Sequence, residues 1–217
     1  MEIVCFNLYT IAEEGILDKM FFWIIALLIA LSIHEYAHAR VADELGDPTP
    51  RVNGRLTLNP LAHLDPLGTF ALLFFRFGWG KPVPIDPYNL RNPRRDQALI
   101  ALAGPAGNLI FTLILSFVYR FLPFSFFSSF VLALASMNVG LAIFNLLPFG
   151  PLDGAKVFLG FIPEDLASEW EEVLNQYGLF ILLILFLPLA NGNSLLGITL
   201  RPAVDFLIKT LFSSPII

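Results

Sequence analysis

The sequence predicts an all-α polytopic membrane protein: three core transmembrane helices, a re-entrant or β-like segment, and two further C-terminal helices. Three observations carry this reading. The 217 residues are 56% hydrophobic and 14% charged, with mean hydropathy +0.72, whereas soluble domains carry about 25% charged residues. Apolar runs at residues 20–40, 97–119 and 128–147 reach the ~20 residues that a helix needs to cross a bilayer. Residues 41–66, after the first run, are rich in Pro, Gly, Asn and Asp and cannot cross. The 13 basic residues are too few and too scattered for a nucleic-acid surface. With no internal repeat, residues 1–217 read as one transmembrane domain, its core at about 20–160 and its C-terminal helices at about 163–213.

The elements follow in order. Residues 1–19 carry Glu2, Glu13, Glu14 and Asp18, unlike the basic start of a secretory leader. Cys5 is the single cysteine, so no intrachain disulfide forms. In the first span, residues 20–33 are uncharged, with Ser32 the one polar side chain, before His34, Glu35 and His38 arrive together. Within the polar 41–66 loop, residues 51–58 (RVNGRLTL) alternate around Asn53-Gly54, which predicts a short hairpin or extended edge. Residues 67–79 are apolar but only 13 long and interrupted by Arg76, so they predict a re-entrant or interfacial segment.

A Pro-rich loop at 80–96 leads into the second span, which contains Gly104-Pro105-Ala106-Gly107-Asn108. Gly and Pro loosen a helix locally and admit a neighbouring backbone, and Asn108 reads as an interhelical hydrogen-bonding group. The third span runs into Pro148-Phe149-Gly150-Pro151-Leu152-Asp153-Gly154, an irregular backbone tolerated at membrane depth only when buried in protein or lining a wet cavity. Residues 163–176 predict an acidic surface helix opened by Pro163. The apolar 177–190 and amphipathic 195–212 stretches fit two spans, a helical hairpin or an interfacial pair equally well.

If 67–79 does not cross, residues 40–96 share one side. They hold eight of the thirteen basic residues: Arg40, Arg51, Arg55, Arg76, Lys81, Arg91, Arg94 and Arg95. The positive-inside bias makes that side cytoplasmic.

Residues i and i+4 of a helix project from one face. His34 and His38 can therefore aim at one point with Glu35 beside them. This HExxH spacing suits two zinc ligands and a general base. The bland alternative is the interfacial end of a helix. Against it stands the cost of ionisable groups at membrane depth, which makes such groups functional candidates by default. Catalytic zinc usually takes a third protein ligand. Asp153 is the first candidate, because its span ends on the side of His34 and His38. His63, in an Asn-Pro loop, is the second.

His34-Glu35-Tyr36-Ala37-His38 and the stretch from Asn145 to Gly154 (NLLPFGPLDG) together resemble the site-2 protease family of intramembrane zinc metalloproteases, which pairs HExxH with NxxPxxxLDG in a later span. Residues 54–69 (GRLTLNPLAHLDPLGT) and 101–108 (ALAGPAGN) are similar to bacterial members, so the resemblance covers about residues 20–160. Ala155 stands where many members have a second Gly. The resemblance implies hydrolysis of peptide bonds in or near transmembrane segments of membrane-protein substrates. It implies one zinc held by His34, His38 and Asp153, Glu35 as general base, and Asn145 positioning substrate or stabilising charge. The partners expected are a transmembrane protein or peptide substrate and the lipid bilayer, in a cell inner or plasma membrane with the active site toward the cytoplasm. The chain resembles a minimal core, without PDZ or nucleotide-sensing modules.

Two further expectations concern access: that the 148–154 break and the 41–66 loop form the entrance, and that substrate pairs as an added strand along 51–58. Two readings compete with the protease. One is a catalytically silent zinc-binding membrane scaffold of the same fold. The other is a transporter, disfavoured by the lack of an internal repeat.

Overall fold

The computed structural model describes residues 3–5, 16–75, 77–123, 126–187 and 194–212. Most of the acidic N-terminal stretch, Arg76 and residues 188–190 lie outside the described residues. In chain order the elements are β1 (Ile3–Cys5), α1 (Ile16–Glu44), α2 (Thr49–Val52), α3 (Pro66–Phe75), β2 (Phe77–Trp79), α4 (Pro93–Tyr119), α5 (Phe126–Asn145), α6 (Asp153–Phe161), α7 (Glu164–Phe186) and α8 (Leu195–Phe212), with single 3₁₀ turns at Pro60–Ala62 and Pro87–Asn89.

Three helices among the described residues are long and apolar enough to cross a membrane: Phe22–Glu44 of α1, all of α4 and all of α5. They form the core, each packed against the other two. Small residues let them approach. Ala26, Ala30, Ala39 and Ala42 of α1 are wholly buried, and a Cβ on Gly107 of α4 would come within 2.9 Å of the Ala37 methyl. Where lipid rather than water surrounds helices, such close van der Waals packing drives their association. The outward face of α4 presents Ile110, Leu113, Ile114 and Phe117, as a lipid-facing stripe must. α4 runs unbroken through Pro105, so the local loosening expected there does not become a kink that divides the helix.

Three features differ from the sequence reading. Residues 51–58 form no strand. Prolines 48 and 50 suit a helix start, Thr49–Val52 becomes α2, and Gly54 at φ 69° closes the following turn. The extended backbone falls instead at β2, which pairs antiparallel with β1, Ile3 opposite Trp79. The acidic 163–176 and apolar 177–186 stretches make one helix, α7 (Glu164–Phe186), with no proline at their junction and with Gly178 costing only about 1 kcal/mol against Ala. Third, the irregular Leu146–Leu152 break gives way at once to α6, which packs on α4. The expectation of a non-crossing 67–79 segment agrees with α3 folding back on β2.

The break is held from two sides. Gly150 takes φ 53° and lies against α7, where a Cβ on Gly178 would meet its Cα at 2.4 Å. Leu152, 1% exposed, packs with Phe144, Leu182 and Leu196 of α5, α7 and α8.

Candidate metal centre

α1 places His34 ten residues before its last residue, Glu44, which is about 15 Å along the axis at ~1.5 Å per residue. The imidazoles of His34 and His38 stand edge to face, centroids 4.6 Å apart. Asp153 opens α6 and reaches both. Its Oδ2 lies 3.0 Å from His34 Nε2 and 3.1 Å from His38 Nε2. Ligand atoms from these three residues converge within 4.8 Å, the single such group among the described residues.

The other ring nitrogens decide the chemistry. His38 Nδ1 lies 2.6 Å from the Ile100 carbonyl, which can only accept, so Nδ1 carries the proton. His34 Nδ1 lies 2.6 Å from Asn108 Oδ1. Asn108 cannot be turned round, because its Nδ2 donates to the Ala30 carbonyl at 2.9 Å and to Asn138 Oδ1 at 2.8 Å. Asn138 in turn donates to the Leu134 carbonyl. The network therefore runs from backbone acceptors to a protonated His34 Nδ1, leaving both Nε2 lone pairs aimed at the Asp153 oxygen. Two neutral imidazoles cannot satisfy acceptors on both nitrogens. A proton on either Nε2, or a cation shared by the three groups, would resolve that convergence, and the three residues could hold a metal ion.

The space suits an ion as well. A Cβ on Gly104 would stand 2.4 Å from both Nε2 atoms, so only glycine leaves that point open. Tetrahedral zinc with bonds of about 2.0 Å separates its ligand atoms by about 3.3 Å, a few tenths more than the 3.0 and 3.1 Å found. Soft-to-borderline nitrogen with one carboxylate is a zinc donor set.

The remaining candidates fall into place unequally. Glu35, 1% exposed, shares with His38 and Asp153 a cavity of about 260 Å³ and is not among the converging ligands. His63 is buried in its own loop, donating from Nε2 to the Thr57 carbonyl at 2.8 Å, and does not join the group. Asn145 is buried in the last turn of α5, its Nδ2 donating to the Leu141 carbonyl at 3.0 Å while Oδ1 has no partner among the described residues. Ala155, 4% exposed, fits where it stands. Gly154 is the demanding position, since a Cβ there would lie 2.3 Å from the Leu146 carbonyl oxygen.

The entrance differs from expectation. Pro151 of the break lines the cavity, but no residue of 41–66 does; the wall is the extended Pro82-Val83, Ile85, and Gln97 and Lys156. Arg55 holds that strap by donating to the Ala62 and Lys81 carbonyls, and Lys81 donates its N–H to the His63 carbonyl. Sequence reasoning missed the strap, whose Pro-x-Pro pattern, which favours extended backbone, was the available signal. It read Gly104 as a point of close backbone approach and not as the space in front of the two Nε2 atoms.

Residues 122–185 match the family model described as Peptidase family M50, a stretch that includes Asn145 and Asp153. Over 209 residues the chain is 36% identical to "Putative zinc metalloprotease YwhC" of Bacillus subtilis (strain 168), covering 91% of this chain and 94% of that one. The chain belongs to peptidase family M50, the site-2 proteases. Two proteins named "Putative zinc metalloprotease Rip2" are also similar. The one from Mycobacterium tuberculosis (strain ATCC 25618 / H37Rv) is 33% identical, over 76% of this chain and 66% of its own length. That of Mycolicibacterium smegmatis (strain ATCC 700084 / mc(2)155) is 31% identical, over 74% and 64%. No solved structure matches the chain. This M50 member is a site-2-protease-like zinc metalloprotease and, by its three apolar spans, an integral membrane protein.

Proposed function

We propose that this M50 metalloprotease hydrolyses peptide bonds in or near transmembrane segments of membrane-protein substrates, with His34, His38 and Asp153 holding one zinc per chain and Glu35 as general base. The observation that carries the reading is the convergence of two oriented Nε2 lone pairs and a carboxylate beside a buried glutamate, inside a membrane-spanning helix. Zinc, when bound, acidifies water to a pKa of about 7 and polarises a scissile carbonyl. Glu35, on the cavity wall, takes the proton of the attacking water and returns it to the leaving amine. Ile100 and Asn108 keep the imidazoles in the ligating tautomer throughout. Asn145 helps to position substrate, and its Nδ2, which gives one hydrogen to the Leu141 carbonyl, has a second with which to donate to a developing oxyanion. The cavity admits water to a site about 15 Å in from the end of α1.

The protein works in a cell inner or plasma membrane in this reading, and the basic bias of residues 40–96 supports a catalytic end toward the cytoplasm. The decisive experiment compares wild type with Glu35→Gln, reconstituted with a transmembrane substrate. Glu35→Gln is expected to keep one zinc per chain and lose cleavage, whereas Asp153→Ala weakens metal binding. Cleavage by zinc-free wild type would overturn the reading.

A further inference from the structure

Asp153 is the first residue of a helix only nine residues long. Helices under about 12 residues do not hold their own shape in isolation, so the third ligand sits where the supports of α6 put it. At the far end of α6 stands Arg94, in the first turn of α4. Its Nε and Nη2 donate to the Leu159 carbonyl at 2.9 and 2.6 Å, and Nη2 also donates to the Ile162 carbonyl. Leu159 lies in the last turn of α6 and Ile162 is its C-cap residue, where carbonyls have no partner within the helix. A cation there also complements the negative end of the helix dipole. Beside the clamp, Gly160 presses on α4 so closely that a Cβ would come within 2.2 Å of the Ala98 methyl.

α4 therefore serves all three ligands. It supplies the Ile100 carbonyl to His38, the Asn108 amide to His34 and the open point at Gly104, and through Arg94 it grips the helix that begins at Asp153. We propose that Arg94 is the positioning residue for the third metal ligand: its fork on the Leu159 and Ile162 carbonyls sets how α6 lies along α4, and thereby where the Asp153 carboxylate meets the two Nε2 atoms. The clamp acts about 9 Å from Asp153, six residues along α6 at ~1.5 Å each, so it touches neither metal nor substrate. Arginine is needed because one planar group must reach two carbonyls at once, which a lysine ammonium meets less well.

This inference rests on the metal-centre reading above, and the test separates the two. Purified full-length wild type, Arg94→Gln, Arg94→Lys and Leu115→Ala are titrated with zinc against a chelator, then loaded with cobalt(II), whose visible absorption reports coordination geometry. Leu115 is buried with Ala26, Leu134 and Ala135 in a cluster separate from the site, so its truncation gives a general destabilisation for comparison. Arg94→Gln should bind zinc 10–100-fold more weakly, the range seen when supporting partners of ligands are removed, with a changed cobalt spectrum. Arg94→Lys should fall between, and Leu115→Ala should lower the thermal midpoint while leaving zinc affinity and spectrum as in wild type. Wild-type affinity and spectrum in Arg94→Gln, or in Arg94→Lys if the glutamine variant does not fold, overturns the clamp alone. Equal weakening in Leu115→Ala also overturns it, by reducing Arg94 to a contributor to stability. A wild type that takes up no zinc sinks the metal centre itself.

Discussion

Replacing Asn108 tests whether the histidines are prepared for metal by their partners. Asn108→Leu removes three buried hydrogen bonds: from His34 Nδ1 at 2.6 Å, to the Ala30 carbonyl at 2.9 Å and to Asn138 Oδ1 at 2.8 Å. At about 1 kcal/mol net each, folding loses about 3 kcal/mol, partly offset by the apolar replacement. Only the first of the three bears on the ion. Losing the acceptor behind a ligating histidine weakens metal binding 10–100-fold, or about 1.4–2.7 kcal/mol. Asn108→Asp separates the two effects. It keeps an acceptor for His34 Nδ1 but sets a carboxylate oxygen against the Ala30 carbonyl and Asn138 Oδ1, so stability should fall while most of the zinc affinity remains. The assay is zinc competition with a chromophoric chelator in detergent, alongside thermal unfolding of the metal-free proteins. An Asn108→Leu protein that binds zinc as tightly as wild type refutes the reasoning, as does an Asp variant that loses as much affinity as the Leu variant.

Three other outcomes are expected. Gly104→Ala puts a methyl 2.4 Å from both Nε2 atoms; metal content by elemental analysis should fall well below one zinc per chain while the helical circular dichroism persists. Gly154→Ala, forced against the Leu146 carbonyl, should cost about 1–3 kcal/mol as overpacking, read as a lowered midpoint of thermal unfolding. Asp47 links the end of α1 to the strap that walls the cavity. Burial opposes its ionisation, but hydrogen bonds from Thr49, Asn89 and the Asp86 amide outweigh burial and hold its carboxyl below the usual carboxylate range. A lowered folded value stabilises above the unfolded carboxylate pKa and is lost as pH falls through the folded one. Metal-free Asp47→Asn should therefore be less stable at pH 7 and should lose less on acidification below pH ~4, and parallel stability-against-pH curves for the two proteins would count against this assignment.

The local part of the centre was legible in the sequence because it depends on one helix. His38 follows His34 by four positions in α1, and helical geometry alone puts them on one face. The spans were legible for a similar reason, since rise per residue converts an apolar run into a length. Asp153 was reachable through its motif and through the parity of the spans. Local rules misjudged residues 51–58, where Pro48, Pro50 and the positive φ of Gly54 outweighed the alternating pattern.

Tertiary structure alone decided the rest. Asn108 lies 74 residues from His34 and Asp153 lies 119 from it, so no periodicity relates them. Which carbonyl orients His38, why position 104 must lack a side chain, and what holds the short helix behind Asp153 all depend on how closely α4 lies against α1 and α6. That distance is set by interdigitating small residues on different helices, a property of paired surfaces that no single stretch of chain contains.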